Sequence, residues 1–222
     1  MTDLKVYTFR DPSALSRAVV VWLYLDLGAN ILSGATAALS IRDAAHLSPD
    51  APKDTPLPSD LLAGLAALGL LVTSAVVGFL VLKWIYRVSR NAHSAARGLT
   101  IRPPWAVGWF FVPVYFLWKP FKAMRETWQA STEPDNWKTV PVPAALRWWW
   151  GLFLAGNVLG QASFRTYIMA TTLGDLSFSA GFDVAGAIVS IPLNLVFIGI
   201  VRELTQKQGA ETGRPNTAPA IA

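Results

Sequence analysis

Long apolar blocks separated by short charged connections constrain this chain more than any other feature. The apolar residues do not recur at the period of an amphipathic helix or a strand, and the Lys, Arg, Asp and Glu residues collect between the blocks. Only 15% of the residues are charged, whereas about 25% is usual in a soluble domain. Uninterrupted apolar blocks are typical of membrane spans. The sequence therefore predicts an all-α integral membrane protein.

Four of the blocks are long enough to be transmembrane helices. We expect these spans at residues 18–41, 61–85, 148–172 and 184–201. A short acidic turn is predicted over residues 173–183, before the last span. Residues 206–222 are rich in Gly, Pro, Thr and Ala, so we expect a disordered cytoplasmic tail there. The rest of the chain, residues 1–205, is predicted to form a single helical membrane domain.

The segment 103–118 is apolar but poorly suited to crossing a bilayer. As a straight helix, the stretch from Trp105 to Trp118 would be about 21 Å long, against about 30 Å for the hydrocarbon core. Pro113 interrupts its middle and Pro120 follows its end, and each proline removes a backbone hydrogen-bond donor. We therefore predict a proline-broken re-entrant or interfacial segment. A short amphipathic helix at the inner interface is expected next, over residues 120–130.

The positions of the basic residues test this topology, because Lys and Arg are enriched in short cytoplasmic loops. If the segment 103–118 returns to its own side and the N-terminus is cytoplasmic, sixteen Lys and Arg lie inside and two lie outside. If the segment crosses, eight lie inside and ten outside, so the bias disappears. The count favours four spans with both termini in the cytoplasm.

The broken segment and its surroundings also carry a family resemblance. The stretch PPWAVGWFFVPVYFLWKPFKAMRETWQAS, Pro103 to Ser131, follows a basic helix end and precedes a Trp-rich block. In this pattern the chain resembles the bacterial membrane-protein family catalogued as domain of unknown function 4328, over roughly residues 61–204. The resemblance implies a multi-span protein of the bacterial cytoplasmic (inner) membrane. It implies no activity and supplies no catalytic residues.

Polar residues inside spans are the first candidates for a site, because they are costly in lipid. One row shares a face of the first span and another shares a face of the Trp-rich span, while the last span adds one amide. The candidates are Asp26, Asn30, Asn157, Gln161, Arg165 and Asn194. They could form a polar layer or wet cavity in which Asp26 titrates. They could instead only hydrogen-bond between helices, and we favour this second role.

Two other features of the spans concern their shape. Gly156 and Gly160 form a GxxxG motif, for which we expect tight packing within the bundle rather than dimerisation. Pro192 is predicted to kink the last span and, with Pro113 and Pro120, completes the set of proline breaks.

Aromatic and basic residues near the predicted inner boundary are expected to contact lipid. Tryptophans anchor helices at the membrane interface, and Lys and Arg attract anionic head groups. The expected anchors are Trp105, Trp109, Trp118, Trp128 and Trp148. The expected head-group contacts are Arg87, Arg90, Lys119, Lys122 and Arg125. Because the basic residues lie beside apolar blocks, nucleic-acid binding is not expected despite the net charge of +5.

The sequence contains no motif that would identify an enzyme. Cysteine is absent, and His46 and His93 have no other ligand residue at metal-binding spacing, so we expect no metal and no cofactor. We therefore expect a non-catalytic accessory or scaffold subunit, or a lipid-associated protein, with other membrane proteins as partners. The alternative is a small-solute or proton-coupled transporter or channel that uses the broken segment and the midplane polar residues.

Overall fold

The computed structural model describes residues 7–211, with backbone only for 210 and 211. Six α-helices make up most of this part of the chain. They are α1 (Ser13–Ala44), α2 (Asp60–Ala95), α3 (Pro103–Gly108), α4 (Lys119–Thr132), α5 (Ala144–Met169) and α6 (Leu173–Glu211). Short 3-10 turns lie at Trp109–Phe111, Tyr115–Leu117 and Trp137–Thr139.

Three of these helices, α1, α2 and α6, are long and apolar enough to cross a membrane. Helix α5 is not among them, although its 26 residues are sufficient in length. Its three consecutive tryptophans, together with Asn157, Gln161 and Arg165, lower its hydropathy. The membrane prediction therefore agrees with the structure for three helices.

The acidic turn predicted over 173–183 is helical, so this prediction is wrong. Helix α6 begins at Leu173 because Thr172 and Asp175 form a reciprocal cap. The Asp175 carboxylate accepts the Thr172 N–H at 3.1 Å, and the Thr172 hydroxyl accepts the Asp175 N–H at 3.2 Å. The helix continues through Pro192 to Glu211. Residues 206–211 are thus helical rather than disordered, and the rest of the predicted tail, 212–222, lies outside the described residues.

The proline-rich segment is not one helix. Helix α3 ends at Gly108, and two 3-10 turns follow on either side of Pro113. Val114, the next residue, has a φ of 68°. A β-branched residue rarely adopts this left-handed conformation, so the backbone is strained at the turn. Helix α4 then begins at Lys119, with Pro120 in its first turn, where a missing N–H costs nothing.

The chain divides into two compact units. Among the described residues, unit 1 comprises residues 7–19, Leu80–Leu146 and residues 199–211. Unit 2 comprises Val20–Phe79 and Arg147–Ile198. Helices α1, α2 and α6 contribute residues to both units, whereas α3 and α4 belong to unit 1 and nearly all of α5 belongs to unit 2.

Unit 1 has α4 in its interior, which differs from the surface helix predicted for residues 120–130. Met124 and Trp128 on the apolar face are buried, but so are Glu126 and Gln129 on the polar face. The polar face is buried because unit 1 supplies hydrogen-bond partners for it. Gln129 Nε2, for example, donates to the Val140 carbonyl at 2.5 Å.

In unit 2, one close helix approach depends on glycine. A Cβ added to Gly34 on α1 would lie 2.3 Å from the Cβ of Ala187 on α6, which no real contact tolerates. At the end of the unit, the α1–α2 connection pairs with the α5–α6 junction. Lys53 N donates to the Thr171 carbonyl at 3.1 Å, and Leu173 N donates to the Ala51 carbonyl at 2.9 Å.

Candidate functional site

The Asp26 carboxylate is buried in unit 2 and accepts hydrogen bonds from both α1 and α2. Only 7% of the residue is exposed. Asn30, one helical turn later on α1, donates to Asp26 Oδ2 at 2.9 Å and to the Asp26 carbonyl at 2.8 Å. From α2, Ser74 donates to Oδ1 at 2.8 Å, and Thr73 lies 3.3 Å from the same oxygen. The i, i+4 spacing predicted that Asp26 and Asn30 share a face of the helix, and the structure adds the hydrogen bond between them and the two hydroxyls of α2.

A cavity of about 280 Å³ lies against this carboxylate. Its polar wall is formed by Asp26, Asn30, Ser33, Ser74, Asp183, Ser190 and Asn194. Asn194 is itself buried, and its Nδ2 donates to the Ser190 carbonyl at 3.1 Å. Three of the predicted midplane residues, Asp26, Asn30 and Asn194, are therefore brought to one cavity.

A larger cavity of about 480 Å³ lies toward the end of unit 2 where α1 ends and α2 begins. Its polar lining comprises Ser33, Thr36, Ser40, Lys53, Asp60, Tyr167, Ser177, Ser179 and Asp183. Ser33 and Asp183 line both cavities. The two spaces are thus neighbours, and polar side chains run from the α1–α2 connection to Asp26.

The charges along these two cavities are mostly negative. Asp26, Asp60 and Asp183 are acidic, and Lys53 is the basic residue among the lining side chains. Asp183 accepts a hydrogen bond of 2.5 Å from Ser163, whose carbonyl in turn accepts one from Ser179 at 2.9 Å. Such a surface attracts protons and small cations and can hydrogen-bond small polar solutes.

The polar row of α5 does not join this site. Asn157, Gln161 and Arg165 are all exposed on the helix. Asn157 donates to the Phe153 carbonyl of its own helix at 2.8 Å. Sequence spacing correctly placed the three on one face, but it gave no information on the direction of that face.

The GxxxG motif of α5 is not used for tight packing within the described chain. An added Cβ at Gly156 or Gly160 would meet nothing within 4 Å. The expectation of internal tight packing at this motif is therefore wrong. Gly34, which no motif singles out, makes the close approach instead.

The predicted lipid-contacting residues lie mainly in unit 1, and they differ in exposure. Trp105 and Trp118 are exposed, whereas Trp128 is only 4% exposed and lies under the Lys207 ammonium, 5.3 Å from its ring centroid. The Lys119 ammonium lies 5.4 Å from the centroid of Trp109. Trp148, in unit 2, is exposed.

Arg87 and Arg90 on α2 and Lys122 on α4 contact other residues of unit 1. Arg87 donates to the Asp11 carbonyl at 3.0 Å, and Arg90 donates to the Thr8 hydroxyl at 3.1 Å, so both hold the segment before α1. Lys122 forms a 3.9 Å ion pair with Glu126. Arg125 is partly exposed.

Sequence reasoning missed two buried polar clusters of unit 1. Glu126 is 3% exposed and accepts hydrogen bonds from Thr100 N at 2.8 Å, from Ile101 N at 3.2 Å and from the Thr100 hydroxyl. In the second cluster, Gln208 Nε2 donates to Ser131 Oγ and to the Val88 carbonyl, each at 2.9 Å, and Gln208 Oε1 accepts from Asn91. Periodicity placed Glu126 on a solvent face, and no local signal marks Gln208.

Metal binding has no candidate ligand set in the part of the chain that the structure describes. No three His, Asp or Glu side chains converge there in a way that could hold an ion.

Comparison with known proteins yields a single family. The family model described as domain of unknown function (DUF4328) matches residues 54–206, which is more than half of the chain. No curated protein and no solved structure matches the sequence.

Proposed function

The chain belongs to the DUF4328 family, and on that premise we propose a four-span protein of the bacterial inner membrane with both termini in the cytoplasm. Helix α5 is the fourth span, because 26 residues extend about 39 Å and exceed the hydrocarbon thickness. The segment 103–118 is re-entrant or interfacial. The charge count supports this topology, as does the interruption of that segment by non-helical turns.

Within this topology, the function that the geometry supports best is passage or binding of a proton or small cation at Asp26 of unit 2. One observation carries this proposal: two polar cavities share Ser33 and Asp183 and reach the Asp26 carboxylate. The larger cavity lies at the end of unit 2 that this topology places outside. An ionisable residue beside a polar cavity in a span is the usual arrangement of a proton or ion pathway.

The competing role for Asp26 is structural. Its contacts with Ser74 and Thr73 join α1 to α2, and such interhelical hydrogen bonds are worth only about 0.6–2 kcal/mol. The two roles differ in one measurable respect, because only the first requires that the carboxylate exchange protons or cations with water in the cavity.

Flux measurements in liposomes test the proposal. Purified protein is reconstituted with a pH-sensitive dye inside, and an imposed cation or proton gradient drives the signal. We expect flux above that of protein-free vesicles and at least a tenfold loss in Asp26→Asn. Asp54→Asn is the matched control, because Asp54 is exposed in the α1–α2 connection and lines neither cavity. Equal flux in the wild type and Asp26→Asn would overturn the proposal.

Thiol labelling tests whether water reaches the site. The chain contains no cysteine, so Ser33→Cys and Leu32→Cys differ from the wild type by a single thiol. Ser33 lines both cavities, whereas Leu32 is an exposed apolar neighbour that faces lipid in the proposed topology. A small water-soluble methanethiosulfonate should modify the cysteine at 33 at least ten times faster. Equal rates would show that the cavity is dry.

A second candidate is the accessory or scaffold subunit expected from the composition. It is favoured by the exposed polar row on α5, because such a row in a span requires a protein neighbour. Mild-detergent purification should then recover a second, different polypeptide in constant proportion. Recovery of this chain alone would count against that role.

A further inference from the structure

The smaller cavity of unit 2 carries negative charge that its own lining does not balance. Asp26 and Asp183 both contribute carboxylates to it, and the described residues that line it include no Lys, Arg or His. Asp26 is only 7% exposed, and a buried charge is costly unless a group of opposite sign lies beside it. The Asp26 carboxylate therefore needs either a proton or a bound cation.

The hydrogen bonds of Asp26 favour the cation. Its Oδ2 accepts from Asn30 at 2.9 Å, and its Oδ1 accepts from Ser74 at 2.8 Å. A protonated carboxyl has an O–H group that must find an acceptor, whereas an ionised carboxylate only accepts. Because side chains already donate to both oxygens, the surroundings of Asp26 suit the ionised form.

A second buried oxygen lines the same cavity. Asn194 is 5% exposed, and its Nδ2 donates to the Ser190 carbonyl at 3.1 Å. Within the described part of the chain, no group donates a hydrogen bond to its Oδ1. The Ser33 hydroxyl, which also lines the cavity, likewise has no hydrogen-bond partner among the described residues. A buried amide oxygen without a partner costs free energy, which a cation beside it recovers.

The cavity has room for an ion with part of its water. Three glycines line it, Gly156 and Gly160 on α5 and Gly186 on α6, and a Cβ at any of them would meet no atom of the described chain within 4 Å. Because one water occupies about 30 Å³ in the liquid, the cavity volume of about 280 Å³ admits a cation and several waters. The GxxxG motif thus keeps this space open and does not bring two helices together.

We propose that this cavity binds an alkali cation, Na⁺ or K⁺, through the Asp26 carboxylate and the Asn194 amide oxygen, with the Ser33 hydroxyl and water completing its shell. Neutral carbonyl oxygens are common ligands of alkali cations in membrane proteins, and the Asp26 carboxylate balances the single charge. A divalent ion is disfavoured, because no three His, Asp or Glu side chains of the described residues gather to hold one. The inference rests on the proposed function and narrows it from a proton or small cation to an alkali cation.

Cation-dependent unfolding tests the site. The full chain is purified in detergent with N-methyl-D-glucamine chloride, whose organic cation does not replace an alkali ion among oxygen ligands. NaCl or KCl then replaces this salt at constant ionic strength. A ligand that binds only the folded state raises the unfolding midpoint, so we expect a rise with Na⁺ or K⁺. No rise with either ion, or a larger rise with Ca²⁺ or Mg²⁺, would overturn the inference.

Asn194→Leu removes the proposed amide ligand. The apparent dissociation constant for the alkali cation should rise about tenfold or more, because a contact to a charge is lost. Asn157→Leu is the matched control. Asn157 bonds its own helix in the same way, with Nδ2 donating to the Phe153 carbonyl at 2.8 Å, but it is exposed and lines neither cavity. An unchanged constant in Asn194→Leu, or an equal loss in both variants, contradicts the site.

Filling the cavity provides a steric test. Gly156→Leu adds a side chain at the cavity wall and should abolish the rise in unfolding midpoint. Gly151→Leu, on the same helix, should retain the rise, because Gly151 lines neither cavity and has equally open space for a Cβ. Undiminished cation binding in Gly156→Leu would place the ion elsewhere.

These results are distinguishable from those of the flux experiment. Proton flux that requires Asp26 in vesicles free of alkali ions, without a midpoint rise, leaves the proposed function standing and refutes this inference. A midpoint rise that requires Asp26 and Asn194, without flux, supports the cation site and refutes passage through it.

Discussion

Unit 1 and unit 2 both enclose a carboxylate, but they surround it in different ways. Glu126 in unit 1 accepts two backbone N–H groups and a hydroxyl, and it fixes the turn at Thr100 and Ile101. Asp26 in unit 2 accepts side-chain groups and lies against a cavity. A carboxylate that accepts hydrogen bonds from backbone N–H groups has a structural role, because moving it would leave those N–H groups without an acceptor. A carboxylate that accepts hydrogen bonds from side chains beside a cavity can exchange them for hydrogen bonds to water or for contact with a bound cation.

The largest effect on stability is expected from removing the Glu126 carboxylate of unit 1. Glu126→Ala should lower the free energy of unfolding by about 2–4 kcal/mol, because the N–H groups of Thr100 and Ile101 lose their buried acceptor. Thermal unfolding in detergent measures the change. Glu133→Ala is the control, since Glu133 is exposed on the C-terminal side of the same helix. Similar midpoints for both variants would contradict the structural role of Glu126.

A smaller effect is expected from the closest helix approach in unit 2. Gly34→Ala should cost about 1–3 kcal/mol, because the new methyl would lie 2.3 Å from the Ala187 Cβ and the helices must move apart. Gly28→Ala, on the same helix with nothing within 4 Å, should be neutral or slightly stabilising. Adding Ala187→Gly to Gly34→Ala should recover part of the loss. An additive double variant would show that the two positions are not in contact.

Asp26→Asn should change stability less than either of these, by about 1 kcal/mol or less, because Asn retains an acceptor for Ser74 or Asn30. Measuring both unfolding and flux on this variant distinguishes a pathway role of Asp26 from a structural role like that of Glu126. A loss of flux with little loss of stability fits the proposed pathway. A loss of stability as large as that of Glu126→Ala would instead make both carboxylates structural.

The smallest effect concerns pH and the start of α1. Hydrogen bonds from the Ser13 side chain and backbone hold the pKa of the exposed Asp11 carboxyl below its ordinary value. Because the pKa is lower in the folded state, the contribution to stability is present above the unfolded pKa and is lost as pH falls through the folded pKa. Asp11→Asn should therefore remove a slight acid dependence of the unfolding midpoint. An unchanged pH profile would contradict this assignment.

Sequence patterns predicted local relationships well. Helical spacing placed Asp26 beside Asn30, and the Pro103–Ser131 stretch identified the family, which is confirmed. Apolar block length located the three helices that can cross a membrane. Each of these depends on one continuous stretch of sequence, where helical period, block length or motif can be read without knowledge of the tertiary contacts.

Contacts between residues far apart in the sequence could not be predicted from local patterns. Gln208 contacts Ser131 and Asn91 across the chain, and no local period marks any of the three. The burial of Glu126 depends on backbone groups at residues 100 and 101, which no helical wheel of α4 includes. The start of α6 could have been recognised from Thr172 and Asp175, whose spacing is that of a capping box.

The pairing between the α1–α2 connection and the α5–α6 junction has a consequence for biogenesis. Residues 49–53 leave the ribosome long before residues 171–174, yet their backbones hydrogen-bond through Lys53, Leu173 and Gly174. This clasp is a contact of high sequence separation, which forms late because loop closure precedes it. In the proposed topology both segments must first be translocated to the same side. These hydrogen bonds can form only when the α1–α2 and α5–α6 hairpins have both been inserted in the correct orientation. Once formed, they stabilise that orientation.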